Sequence, residues 1–221
     1  IELYNNTGFD NYLVKPVSGR QLEDMLLAYL PAEKVIRMID NDITGSSMST
    51  AAGYSKKRAV AVAAGSMTDL PRYIQNELQI SIIPSIIITD EGTFYDNIDI
   101  DSEEILRYMA DESKTVSSDA PTEEDYINFF SSELKKAHNL IFITLSPGSS
   151  YEYGRASKAA ALFENVTLIN SESLSSGTGM LVMIAARLAA QNLPVEKIVT
   201  ELEEVKKHIN CSFVIRTTDV M

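Results

Sequence analysis

The residues best placed to do chemistry are Thr144-Leu145-Ser146-Pro147-Gly148-Ser149-Ser150-Tyr151-Glu152-Tyr153-Gly154-Arg155-Ala156. They read as the end of a buried strand, a Ser/Gly/Pro loop and the start of a small-residue helix. The strand before them, Asn139 to Thr144, is a short continuous apolar run of the kind found in parallel sheets. In an open parallel sheet, ligands sit beyond the carboxyl ends of the strands. A helix amino terminus at that end offers unpaired N–H groups and a positive dipole end, and serine hydroxyls add further donors. The pattern suits an anion.

A hydrolase would need a base for Ser146, Ser149 or Ser150, and the sequence holds only His138 and His208. His138 precedes the strand and so belongs at the amino end of the sheet, away from the ligand side. His208 closes a charged helix, where a cation suits the dipole. The loop also lacks the second glycine of a G-x-S-x-G nucleophile elbow. No catalytic residue is assigned. Gly177-Thr178-Gly179 follows a strand but lacks the third glycine of a dinucleotide loop, so a tight turn with close helix packing accounts for it better. Asp96, Asp99 and Asp101 stand at odd spacings without the glycine and glutamate of a calcium loop, and read as solvated charges. Neither a metal nor a cofactor is expected.

What remains is a set of hydroxyl-bearing loops at the ligand-facing ends of strands and helices: Ser66, Ser117-Ser118, Ser149-Ser150 and the stretch Ser171 to Ser176. Each alone is most often a cap or turn residue. Together, with no acid, base or lysine beside them, they suit the binding of a carboxylate rather than a proton-moving reaction.

The elements that must position these residues alternate. Ala59 to Ala63 reads as a strand leading through Gly65-Ser66-Met67-Thr68-Asp69-Leu70-Pro71 into a helix with Ile74 and Leu78. The apolar run Ile80 to Ile88 is interrupted by Pro84, which cannot sit in mid-ladder without a bend or an edge. Asp90-Glu91-Gly92 reads as a hairpin turn. Ser102 is expected to cap a helix bearing Ile105, Leu106 and Met109, and Thr122 with Asp125 forms an acidic capping box for a helix bearing Tyr126, Phe129, Phe130 and Leu134. A strand at Asn165 to Ile169, an apolar helix at Met180 to Ala190 and an acidic amphipathic one at Val195 to Ile209 complete the series. Such alternation predicts an α/β fold, a parallel β-sheet flanked by helices with right-handed crossovers.

Ahead of this domain, residues 1–39 hold a strand-like Asn11 to Val14 and a helix with Leu22, Met25, Leu26 and Tyr29 on one face. Residues 40–57 are rich in Ser, Gly and Thr without period, which is linker composition. The net charge of −12 weighs against nucleic acid, whose binding rests on phosphate neutralisation by Lys and Arg. No apolar run approaches the ~20 residues of a membrane span. The single cysteine, Cys211, excludes an internal disulfide, leans towards a cytoplasmic location and is expected to pack as a small apolar residue.

Residues 59–221 resemble the first part of the DegV family of bacterial fatty-acid-binding proteins. The matching pieces, in order, are Ser66-Met-Thr-Asp-Leu-Pro71, Ile82-Ile-Pro84, Tyr95-Asp-Asn-Ile-Asp99, Ser118-Asp-Ala-Pro-Thr122, Ser146-Pro-Gly-Ser-Ser150 and Asn170-Ser-x-x-x-Ser175-x-Gly177-x-Gly179. The resemblance implies a parallel α/β domain beside a second α+β domain, with a long-chain fatty acid such as palmitate between them. It places a carboxylate-binding hydroxyl on Ser118 when Pro121 is aligned, or on Ser117 if Asp119 is an insertion, and a second on Ser150. It further implies a non-enzymatic carrier that delivers its ligand to a fatty acid kinase.

Several positions depart from the family pattern. Its Leu-Ser-Gly-Thr is here Ser149-Ser150-Tyr151-Glu152, its first-loop Asp is Gly65, and its later Asp is Asn170. Glu152 either adds negative charge beside the carboxylate site or points to solvent. Residues 1–31, with Gly8 to Val17 and the following helix, resemble the last strand and helix of a response-regulator receiver domain. That suggests an alternative role, a sensor or effector coupled to phosphorylation. Phe213 to Met221 sits where the family enters its second domain, so that domain is expected to be largely missing, leaving a lipid groove half exposed and inviting a homodimer.

Overall fold

A computed structural model describes residues 57–212. The receiver-like segment at 1–31, the rest of 1–39, the linker up to residue 56 and the stretch 213–221 lie outside the described residues. The described part begins with β1 (Arg58–Gly65), a 3-10 turn (Ser66–Thr68), α1 (Arg72–Glu77) and β2 (Ser81–Ile83). Next come β3 (Ile86–Thr89), β4 (Gly92–Tyr95), α2 (Ser102–Met109), β5 (Val116–Asp119) and α3 (Glu123–Lys136). β6 (Ala137–Thr144), α4 (Glu152–Ala160), β7 (Val166–Asn170), α5 (Ser175–Ala190) and α6 (Val195–Lys206) follow.

Four strands form a parallel sheet in the order β2-β1-β6-β7. Alternation along each strand divides the core in two. Val60, Val62, Ala64, Ile141, Ile143 and Ile169 face α5 and α6, where Leu181, Val182, Ala185, Ile198 and Leu202 are buried. On the other face, Ala61, Ala63, Leu140 and Phe142 meet α3 and α4 through Tyr126, Phe130, Ala156 and Ala159. Phe142 anchors that side, with ring centroids 5.6 Å from Tyr126 and 5.2 Å from Phe130 in edge-on geometry. Gly179 lets α5 lie against the turn after β1: a Cβ there would stand 2.7 Å from the Thr68 carbonyl oxygen. This is the close helix packing expected of Gly177-Thr178-Gly179.

The apolar run around Pro84 divides between two sheets. β2 joins the parallel sheet, whereas β3 pairs antiparallel with β4 and β5 in a separate three-stranded sheet. Pro84 and Ser85 make the passage, a place where a missing donor costs no ladder bond. Ser85 is fixed from both directions: its N–H donates to Ser66 Oγ at 3.0 Å, and its carbonyl accepts the Asp96 N–H at 2.9 Å.

Helix starts follow the local chemistry, with one correction. Thr122 and Asp125 form the expected capping box. For α2 the cap is Asp101, boxed with Glu104, and Ser102 is the first helical residue. Both types cap well, and Glu104 stands three residues after Asp101, which decides between them. None of α2 is buried, and Leu106 remains 68% exposed. Cys211 is exposed rather than packed, because α6 ends at Lys206 and the chain beyond it runs over the surface.

Candidate functional site

A cavity of about 410 Å³ lies beyond the carboxyl ends of β1 and β6. These neighbouring strands mark the switch point of the sheet: from β1 the chain moves outward to β2, then crosses to β6 on the other side. Crevices for ligands open at such points, and the volume falls in the ~300–1,000 Å³ range of ligand pockets. Ser118 of β5, Ser149 and Ser150 of the β6–α4 loop, Ser85, Met67 and Glu152 contribute to the lining. Among the described residues, no Lys, Arg or His lines it.

The loop bearing Ser149 and Ser150 is tied down by its own backbone. Ser146 N–H donates to the Ser173 carbonyl at 3.1 Å, and Ser149 N–H to the Ser146 carbonyl at 2.9 Å. Ser150 Oγ accepts the Glu152 N–H at 3.1 Å, satisfying one of the free donors at the start of α4. A hydroxyl holds one donor and two lone pairs, so Ser150 keeps its O–H to give to a ligand. Ser118 pairs with Ile87 in the small sheet, and its exposed side chain meets the same cavity from the other side. Arg155 fastens the two walls together. Its guanidinium donates to Asp119 Oδ2 at 3.0 Å and to the carbonyls of Ala120 and Pro121.

Of Ser66, Ser117, Ser118, Ser149 and Ser150, the structure brings Ser118, Ser149 and Ser150 together and leaves the other two elsewhere. Ser117 precedes Ser118 in β5, so strand alternation turns it to the opposite face. Ser66 is buried with its Oγ engaged by Ser85, and it borders a separate depression beside Asp69 and Arg72. It positions the link that carries Ser85. Two of the serines after β7 also serve structure: Ser171 Oγ lies 2.9 Å from Thr178 Oγ1, and Ser175 bonds Asp69.

Glu152 does not point to solvent. It is 4% exposed, and its Oε2 accepts the Leu145 N–H at 2.7 Å. Burial pushes its carboxyl up to about 7, with the Leu145 hydrogen bond pulling weakly the other way. Its placement depends on Gly65, where a Cβ would lie 2.2 Å from Oε1. The sequence carried a signal for this: Gly65 replaces a carboxylate residue in the first loop of the family pattern while Glu152 supplies one in the second.

Among the described residues, neither histidine stands beside the cavity serines. His138 lies near the amino end of β6, inside the strand rather than before it, and both histidines are exposed and away from the cavity. Asp99 and Asp101 accept backbone hydrogen bonds from Tyr95 and Glu104, so they serve turn and cap.

The described residues thus form a parallel α/β domain with a hydroxyl-lined cavity at the switch point of its sheet. The chain belongs to the DegV family: that family's model, described as uncharacterised protein, DegV family, matches residues 59–221. A DegV domain-containing protein of Clostridium acetobutylicum is 26% identical over 162 residues, covering 72% of this chain and 58% of the relative. Among solved structures, DegV of Bacillus subtilis, a fatty acid binding protein, matches with a TM-score of 0.64 at 24% identity, over 68% of this chain and 55% of that one. A DegV family protein of Thermus thermophilus, described by its fatty acid binding, gives 0.63 at 23%, over 67% and 54%. Such likeness shows the fold. The chain spans little more than half the length of these relatives, and the receiver-like segment lies outside the family match.

Proposed function

We propose that this chain binds a long-chain fatty acid without catalysing a reaction on it, Ser118 and Ser150 donating hydrogen bonds to the carboxylate. The observation that carries this reading is that two hydroxyls from different sheets and loops line one cavity at the switch point, with no histidine or lysine among its lining residues. Hydroxyl donors orient a carboxylate; they do not activate it. The acyl chain supplies most of the affinity, at ~0.8 kcal/mol per buried methylene. Met67 and Tyr151, 39% and 76% exposed at the cavity, offer apolar surface for it. The fatty acid binding of the Bacillus and Thermus relatives supports the same ligand class. A carrier of this kind hands its ligand to a fatty acid kinase, a role that rests on the family resemblance. Native mass spectrometry of the purified chain tests the reading: an adduct with the mass of a long-chain fatty acid is expected, and a protein that stays ligand-free after incubation with palmitate overturns it.

A further inference from the structure

Glu152 sits where the two central strands end. Through Oε2 it holds the Leu145 N–H beyond β6, while Oε1 fills the space above Gly65 at the end of β1. The residue is buried, yet it forms part of the wall of the cavity that Ser118 and Ser150 share. Oε1 accepts no hydrogen bond, and no cation pairs with the carboxyl, among the described residues. Arg155, on the same helix, is committed to Asp119 and the carbonyls after it.

The surroundings supply no charge that would keep Glu152 ionised. α3 contributes Asp125 and Tyr126, whose phenol is itself pushed upward by burial and by the Glu152 charge. β5 contributes Asp119, already neutralised by Arg155, and the adjoining ends of β1 and β6 contribute no ionisable group. A buried carboxylate with neither cation nor full hydrogen bonding takes up a proton instead. As an acid it becomes a donor, and the chemistry of the site changes.

We infer that Glu152 is a headgroup ligand of this cavity, its protonated Oε1 donating a hydrogen bond to the carboxylate of the bound fatty acid alongside Ser118 and Ser150. The inference rests on the fatty-acid reading and adds the group that reading leaves out. Two ionised carboxylates facing each other without a cation repel strongly, whereas an acid–carboxylate pair shares one proton. When Glu152 is ionised in the free protein, binding takes that proton from water and no other bond changes. Burial, which holds this carboxyl near 7, puts the uptake in the neutral range. The consequence is selectivity. A fatty carboxylate is favoured in mildly acidic solution and loses affinity as the solution turns alkaline.

Titration of palmitate into the chain from about pH 6 to about pH 8.5, with E152Q in parallel, tests this. Wild-type affinity is expected to fall about tenfold per pH unit above the Glu152 midpoint, as the linkage of one proton requires, while E152Q, a donor at every pH, stays flat. Calorimetry of the wild type in two buffers of different ionisation heat needs no variant. Near pH 8 it should report about one proton taken up per palmitate, and the cavity lining holds no histidine to supply another source. Equal slopes in both proteins, or no proton uptake, overturn the inference and leave fatty-acid binding intact. Palmitate bound by neither protein at any pH overturns the fatty-acid reading and this inference with it.

Discussion

Arg155 on α4 reaches across the cavity rim to Asp119 at the end of β5, guanidinium nitrogen to carboxylate oxygen at 3.0 Å. The pair joins the element that carries Ser118 to the one that follows Ser150. It is the main polar link between the two walls, and the Ala120 and Pro121 carbonyls complete the fork.

Removing that link should loosen Ser118 more than it weakens the fold. Both partners are about one-third exposed, at 32% and 34%, so the ion pair itself contributes only ~0–1 kcal/mol. The carbonyl contacts add ~0.5–1.5 kcal/mol. R155A is expected to lower unfolding stability by about 1–2 kcal/mol in urea titrations and to weaken fatty-acid binding by a larger factor than this implies. R155K keeps the charge without the planar fork and should restore stability better than binding.

The two serines should separate by their structural duties. Each hydroxyl that bonds a carboxylate contributes ~1.5–3 kcal/mol, so S118A and S150A should each weaken binding about 10- to 100-fold. S118A should leave thermal stability unchanged, since Ser118 Oγ has no hydrogen-bond partner among the described residues. S150A also removes the acceptor for the Glu152 N–H, and should cost ~0.5–1 kcal/mol of stability.

Gly65 and Glu152 should behave as a coupled pair. G65A brings a Cβ to within 2.2 Å of Oε1, so destabilisation of ~1–3 kcal/mol is expected by chemical denaturation. Pairing G65D with E152T moves the carboxyl back to the first loop and removes the clash. The double variant should be more stable than the sum of the single effects predicts, by ~0.5–3 kcal/mol. Simple additivity in that cycle would show that the two positions do not share space.

Stability of the ligand-free chain should fall as the solution is raised from about pH 4.5 to about pH 7. The Glu152 carboxyl lies near 7 when folded against an ordinary 4.5, so between those values the folded state holds the extra proton and the unfolded state does not. The loss is complete above the folded value and amounts to about 3 kcal/mol, at ~1.4 kcal/mol per tenfold change in proton affinity. E152Q should abolish this slope. An unchanged slope in E152Q would assign it to other groups.

The parallel sheet was legible because its strands are short apolar runs: Ala59 to Ala63 and Asn139 to Thr144 fall within β1 and β6, and the run Asn165 to Ile169 meets β7 from Val166 onward. The Asp90-Glu91-Gly92 turn was legible for a local reason, since Gly92 has a φ of 152° that suits glycine best. The division of Ile80 to Ile88 between two sheets was not, because a continuous apolar run has no period to show where one sheet ends. Pro84 was the only mark. Ser117 and Ser118 were indistinguishable in composition, and only the register of β5 against β3 separates their faces. The sequence left Glu152 open between the site and solvent because its burial depends on another position, the side chain that Gly65 lacks.

Calorimetric titration of palmitate into the wild-type chain and into S118A/S150A tests the central claim most directly. Stoichiometric binding by the wild type, weakened at least about 100-fold in the double variant, is the predicted result. Equal affinity in the two proteins, or no heat of binding in either, would contradict it.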